Sequence, residues 1–429
     1  RFKELYSEYL GNQILIRNIN YLNEQLTVKQ LECNFRDDDK IISKKLDFIH
    51  PVKIGKNYIK IDEIIKASNK KNQLIKSCHN IWFENYSNKT IYNKKIVNNL
   101  VVNNKEKNKK KFLEIFNLVD KKLYLKKDQT YISNNLFIPS GFSVIIKNDQ
   151  SIILSNNAFI FSNSNWIAKS NKKDGILIQG AKNNFGGGLI ISNSKKNYFK
   201  NVRFEYLRGL DFLNKFNNAV PSSSYQNFDY GYKIYGAINF FNSEVDLIDL
   251  NFSNITSEDA LNIVESNFNI KKNSFNNILS DAIDIDNGEG KILDCSFFNI
   301  SNDAIDLSGS IVKIMNIRTN YVKDKAISSG ENSILNINNL LSKNGFIGVA
   351  NKDGSKVFLS NANFDKIEIP IAAYSKKNNF SESFMKANKI EITNSKSDYL
   401  VSKSEKLIIN NQNKKINSTN KKILSIIYN

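Results

Sequence analysis

Two rhythms of apolar and polar residues divide this chain. Near the start, Phe2, Leu5, Tyr6, Tyr9 and Leu10 recur at helical spacing and share one helical face. Phe112, Ile115, Phe116 and Val119 repeat that spacing just after the Lys-rich stretch "KEKNKKKF". Between them, short apolar runs such as "NQILIRNI" and "NYIKIDEII" fit strands or helix starts. Residues 1–128 therefore read as a mixed α/β module. From about Thr130 the runs become short and strand-like: "NLFIPSG", "FSVIIKN", "SIILSN", "AFIFSN", "DGILIQG". Asn, Ser, Gly or Lys punctuate them, which points to an all-β sandwich, barrel or solenoid.

Self-comparison selects the solenoid. Ala237, Ala260, Ala282, Ala304, Ala326, Gly348 and Ala372 recur every 22 to 24 residues, each followed by an apolar residue. A second set of anchors repeats with them: Val245, Leu247, Leu250, Phe252 and Ile255 in one turn, then Phe268, Ile270, Phe275 and Ile278, then Ile292, Cys295, Phe297 and Ile300. A repeat this short cannot hold a βαβ unit, yet it accommodates a coil of three short strands. Stacked coils place equivalent residues about 4.8 Å apart and bury a continuous ladder of Ile, Leu, Val and Phe. The expected organisation is a parallel β-solenoid over 129–387, a β-rich tail or cap over 388–429, and a loop over 208–234 inserted between coils.

Composition changes this picture little. The chain has 61 Lys and Arg against 42 Asp and Glu, a net charge of +19. It is also saturated with Lys, Asn and Ile, whose codons are rich in A and T, so the charge tilts only towards an acidic polymer as partner. The cluster Lys105–Lys111 lacks the interleaved aromatics of a base-stacking surface, so no nucleic-acid partner is expected. Cys33, Cys78 and Cys295 are scattered and odd in number, which implies no disulfide framework. His50 and His79 build no zinc site, and Cys295 reads as a core residue. No apolar run is long enough to span a membrane. The chain opens on Arg1 rather than Met, so it reads as an excerpt from which an export signal has been removed.

Phrases such as "SDAIDID", "NDAIDLSGSIVKI" and "GGGLIISNSKKNYFKNVRF" resemble the right-handed parallel β-helix superfamily that includes pectate lyases. The resemblance spans roughly Gly175 to Asn378 and is one of repeat shape. "DKAISSGENS" and "ANKDGS" are similar to β-helix segments that accompany spore-coat-protein-H-like modules in bacterial exported proteins. The resemblance implies a right-handed solenoid, a secreted or cell-surface location, and an acidic polysaccharide or cell-surface glycan as partner. Polygalacturonase-like members also carry a His-containing motif and a later Arg-Lys motif, and neither occurs in the repeats here.

The candidate chemistry centres on the phrase Asp-Ala-Ile-Asp, present at Asp281–Asp284 and again at Asp303–Asp306. Stacking forms one column of Asp259, Asp281, Asp303 and Lys325, and a second of Asn262, Asp284, Asp306 and Ser328. The first column reads as a repeated corner with Lys325 as an ion-pair cap. In the second, strand alternation sends Ile283 and Ile285 inward and Asp284 and Asp286 outward. Clustered carboxylates repel and raise one another's pKa unless a cation, a shared proton, hydrogen bonds or water relieve them. Calcium, with Asp284, Asp286 and Asp306 as ligands, is one such device. A polysaccharide lyase then needs a base, for which Lys325 and Lys352 are the candidates, and it ranks ahead of a glycoside hydrolase using Asp284, Asp303 and Asp306. Tyr374 and Lys376 on later turns, with Tyr225, Tyr230 and Tyr232 in the inserted loop, are candidates for sugar contacts. A non-catalytic surface or adhesion module is the alternative, because the architecture hosts both.

Overall fold

The computed structural model describes strand backbones between residues 4 and 98. From Lys111 onward it describes every residue except 174, 182–184, 210–235, 378–379, 404 and 429. The chain forms two compact units, one holding residues 1–105 and the other residues 106–218 and 234–429. In the first unit, Glu4–Leu10 pairs antiparallel with Gln13–Ile19. Leu26–Asp37 pairs antiparallel with both Lys40–Ile54 and Leu74–Asn85. Glu4–Leu10 is a strand, which corrects the helical face read over Leu5, Tyr6, Tyr9 and Leu10; Phe2 lies outside the described residues. Only the dipeptide Gly11-Asn12 separates the first two strands, and two-residue links of that chemistry close hairpins. Pairing across such a link outweighs a helical spacing carried by five side chains.

The second helical patch is half right. Phe112–Ile115 forms one helical turn, after which Phe116–Val119 becomes a strand antiparallel to Lys122–Leu125. Phe112 and Phe116 are both buried and belong to the solenoid core. From Lys122 to Glu289–Leu293, each strand pairs in parallel with the strand three places later, the signature of a solenoid with three strands per coil. In later coils the strands fuse at the corners into runs such as Ile334–Lys352 and Lys356–Tyr374.

Register explains the core. Phe204 pairs with Phe252, Phe252 with Phe275, and Phe275 with Phe297. Their rings stack with centroids 4.9, 4.6 and 5.0 Å apart, the coil spacing itself. Cys295 is buried beside this ladder, as expected, and burial pushes its thiol up to about 12. A buried Ser column ties coil to coil: the Ser310 N–H donates to Ser333 Oγ at 3.1 Å and the Ser333 N–H to Ser355 Oγ at 3.2 Å.

The corners account for much of the Asn content. Asn316, Asn339 and Asn361 all have positive φ and continue a corner column begun by Asp249, Lys272 and Asp294. Asn tolerates this left-handed conformation better than other non-glycine residues. Its amide also ladders along the axis, Asn316 to Asp294 at 2.7 Å and Asn339 to Asn316 at 2.8 Å.

Two expectations near the C-terminal end need correction. Lys325 pairs with Ile347 and Val349 with Ile371, so the small-residue column runs from Ala326 through Gly348 to Pro370, not to Ala372. Ala372 pairs instead with Ala350, two positions along. The tail is not purely β-rich: after Lys406–Ile409 and Gln412–Asn413 the chain ends in a helix, Asn420–Tyr428. Ile423 and Ile427 of that helix pack on Ile347, Ile369, Ala350 and Ala372. Thr419 caps it, accepting from the Lys422 N–H at 3.2 Å.

Candidate functional site

The site lies on one sheet, built from Asp259–Val264, Asp281–Asp286, Ile305–Ser308, Lys325–Gly330 and the last parts of Ile334–Lys352 and Lys356–Tyr374. Strand alternation buries Leu261, Ile283, Ile305 and Ile327 in the core and turns the intervening positions to the other face. Both expected columns form. Asp259 pairs with Asp281, and Asn262, Asp284, Asp306 and Ser328 follow one another in register.

The first column is a backbone cap. Asp281 Oδ1 accepts from the Asp303 N–H at 2.7 Å, and Asp303 Oδ1 accepts from the Lys325 N–H at 3.0 Å. Asp281 and Asp303 thus each satisfy the equivalent amide of the next coil, whereas the Asp281 N–H itself donates to the Glu258 carbonyl. Lys325 closes the series as an ion pair, with its Nζ 3.2 Å from Asp303 Oδ1 and 2.5 Å from Asp324 Oδ2. Burial, then the charge of Asp303, pushes Asp281 well above the ordinary carboxylate range. Burial raises Asp303 to about 7 despite the opposing pull of Lys325.

The second column splits between two environments. Asp284 is raised well above its ordinary value by burial and then by Asp286, and its Oδ2 accepts from Asn262 Nδ2 at 3.4 Å. Asp306, one coil on, is lowered. Burial opposes its ionisation, but Lys352, the Ser328 hydroxyl, Lys325 and Lys376 together outweigh it. The Lys352 Nζ lies 3.6 Å from Asp306 Oδ1 and donates to Ser328 Oγ at 2.6 Å. Its stem crosses Gly330, where an added Cβ would sit 3.0 Å from Lys352 Cε. The glycine leaves the passage through which Lys352 reaches back towards an earlier coil.

The structure therefore brings Lys325, Lys352, Asp306, Tyr374 and Lys376 together. Tyr374 is fully buried and shares a 2.8 Å hydrogen bond with the Tyr428 hydroxyl. The turn bearing Lys376 is fixed by Asp353, whose Oδ1 accepts from the backbone N–H groups of Lys376 and Lys377 at 2.7 Å each. Tyr225, Tyr230 and Tyr232 lie outside the described residues. Asp303 and Asp306 respectively hold the Lys325 and Lys352 amines above their ordinary range, outweighing burial. A protonated amine cannot abstract a proton, so these surroundings favour fixed positive charges over the expected role as bases. Among the described residues no three acidic, His or Cys side chains gather as a metal-holding group. Asp306 faces an ammonium and Asp284 an amide donor, not a common centre.

Sequence reading missed Tyr428. Its signal was present as Thr419 followed by Ile423 and Ile427, a cap ahead of an i, i+4 apolar pair.

No protein-family model matches the chain, and no curated protein matches it. Among solved structures the chain is similar to an alginate lyase from a Paenibacillus species, at 9% identity and TM-score 0.36 over 61% of this chain and 97% of that one. A periplasmic alginate epimerase matches at 11% identity and TM-score 0.37, covering 69% and 80% of the two chains. A family 28 exopolygalacturonase from Yersinia enterocolitica matches at 8% and 0.36, covering 95% and 98%. Among the described residues no helix is long and apolar enough to cross a membrane. The coil-to-coil register makes the described residues from Lys122 on a parallel β-helix with three strands per coil.

Proposed function

We propose that this sheet face binds an acidic polysaccharide and cleaves its glycosidic bonds by carboxylate acid–base chemistry. The observation that carries the reading is that Asp284 and Asp306, register neighbours on adjacent coils, are displaced in opposite directions. Two carboxyl groups whose environments push their pKa values apart are suited to opposite proton-transfer roles. Asp284, kept protonated, donates its proton to the leaving glycosidic oxygen. Asp306, kept ionised, either takes a proton from the attacking water or attacks the anomeric carbon itself. Lys352 acts through Asp306. Lys376, exposed at the edge of the site, supplies a positive charge for a uronate carboxylate. This order, hydrolase before lyase, reverses the sequence-based ranking because the lysines are not available as bases.

A second reading, a non-catalytic glycan-binding module, is favoured by a different corner of the solenoid. There Asn299 donates to Asn277 at 2.8 Å and Asn277 to Asn254 at 3.3 Å. This ladder lines an open cavity of about 310 Å³ beside Phe185 and Tyr206.

The deciding experiment incubates the protein with a panel of polyuronates and neutral glycans, following both new reducing ends and the ultraviolet absorbance of unsaturated sugars. Reducing ends without absorbance, lost by roughly 10²–10⁴-fold in Asp284→Asn and in Asp306→Asn, are the expected result. Absorbance instead means elimination and overturns the acid–base assignment. Retention on a polyuronate column without turnover leaves the binding module.

A further inference from the structure

The C-terminal helix packs where the sheet face is apolar, and its last turn reaches over the charged part of that face. Ile423 and Ile427 cover Ile347, Ile369, Ala350 and Ala372. Asn420 clamps the neighbouring turn, its Oδ1 accepting from the Ser375 N–H at 3.0 Å and its Nδ2 donating to the Ser375 carbonyl at 2.7 Å. These contacts place Tyr428 with its hydroxyl on Tyr374. Its ring centroid lies 5.4 Å from the Lys325 Nζ and 4.5 Å from the Lys376 Nζ. Beneath it, Lys325 and Lys352 keep only 3% and 7% of their surfaces exposed.

We infer that Tyr428 is a positioning residue of the site, whose ring closes the Lys325–Lys352 cation pair off from water and so fixes the charge that Asp306 experiences. The inference rests on the acid–base reading proposed above and adds a residue to it. An ammonium shielded from water acts on a nearby carboxylate through a low effective dielectric, whereas a wetted one is screened. The groups facing Asp306 from the surrounding coils are the carboxyls of Asp259, Asp281, Asp284 and Asp303 and the amines of Lys325, Lys352 and Lys376. Tyr374 and Tyr428 stand beyond them, and burial raises the Tyr374 hydroxyl well above the ordinary tyrosine range. Burial pushes Asp306 towards protonation. A loss of cationic charge is therefore felt at once. An aromatic face adds a direct attraction for Lys325 and Lys376.

The test is carbon-13 NMR titration of aspartate-labelled protein, with the Asp306 signal assigned through Asp306→Asn, in Tyr428→Ala and Tyr428→Phe. Tyr428→Ala is expected to raise the Asp306 midpoint by about one pH unit, a tenfold change in proton affinity. The acid limb of the kcat/KM profile should move with it. Tyr428→Phe keeps the ring and is expected to recover most of the wild-type midpoint while losing the bond to Tyr374. Thermal unfolding is recorded alongside. A Tyr428→Ala protein that melts earlier with an unmoved Asp306 midpoint overturns the inference and leaves Tyr428 a mere anchor. So does a Phe variant that titrates like the Ala variant. Should the Ala variant not fold, Tyr428→Leu, which keeps apolar bulk without an aromatic face, is titrated in its place and is held to the same midpoint shift. If no glycan is cleaved, the functional reading falls, and the titration still decides the role of Tyr428.

Discussion

The coils bearing Asp259 to Asp306 and those bearing Lys325 to Tyr374 share one sheet and nearly one backbone, yet their outer faces are chemically opposed. In the earlier coils the outward columns are aspartates and Asn262, and burial makes Asp259, Asp281 and Asp284 resist ionisation. In the later coils the same columns hold Lys325 and Ser328, then Ile347 and Ala350, then Ile369 and Ala372. The inward ladder does not change across this boundary: Ile283, Ile305, Ile327, Val349 and Ile371 are all fully buried. A solenoid fixes where each outward side chain stands and leaves its chemistry free, so a site arises where two unlike faces meet. Here they meet between Asp306 and Lys352.

Cutting that junction should have the largest structural effect. Lys352→Met removes the largest of the influences that keep Asp306 ionised, leaving Ser328, Lys325 and Lys376 against burial. Breaking one partner of a buried pair costs about 3–5 kcal/mol, to be read from denaturant unfolding, and Asp306 should then titrate above its ordinary value. A smaller effect is expected from blocking the passage of Lys352. Gly330→Val fills the space over which its stem runs and should cost about 1–3 kcal/mol. The Lys352–Asp306 contact should also be lost, seen as an upward shift of the Asp306 carboxyl signal. A stability loss with that signal unmoved would show that Lys352 needs no gap at Gly330.

The mildest probe is pH. Asp259, Asp281 and Asp284 are raised above the ordinary carboxylate range, and Asp303 to about 7. A group with a raised folded-state pKa contributes stability that is fully present below its unfolded value and lost as pH rises through the folded one. The acidic coils should therefore melt a few degrees higher near pH 5 than near pH 8 by calorimetry. Asp306 has the opposite sign, because its lowered pKa removes stability only at strongly acidic pH. Asp281→Asn should flatten the slope; an unchanged slope would show that the buried column does not govern it.

The β-helix was legible because its 22-residue spacing repeats the same inward Ile, Leu and Phe in coil after coil. Both columns followed from that period, as did the outward direction of Asp284. The ion pair between Lys325 and Asp303 was also readable, since equivalent positions on adjacent coils are neighbours by construction. The pairing of Lys352 with Asp306 was not. It spans two coils and depends on the missing side chain at Gly330, which no periodicity reports. The N-terminal strands escaped for a related reason. A helical spacing over seven residues is weak evidence against a strand whose partner lies just beyond a hairpin link.

By itself, then, the order of residues determined the coil, its core and the stacking of the aspartates, because each depends on the repeat alone. Only the tertiary structure decided which of those aspartates carries a charge. Ionisation depends on burial and on ammonium groups delivered from other coils, Lys352 past Gly330 to Asp306 and Lys325 beneath the ring of Tyr428. The second of those distances exists only once the C-terminal helix has folded back onto the apolar end of the sheet.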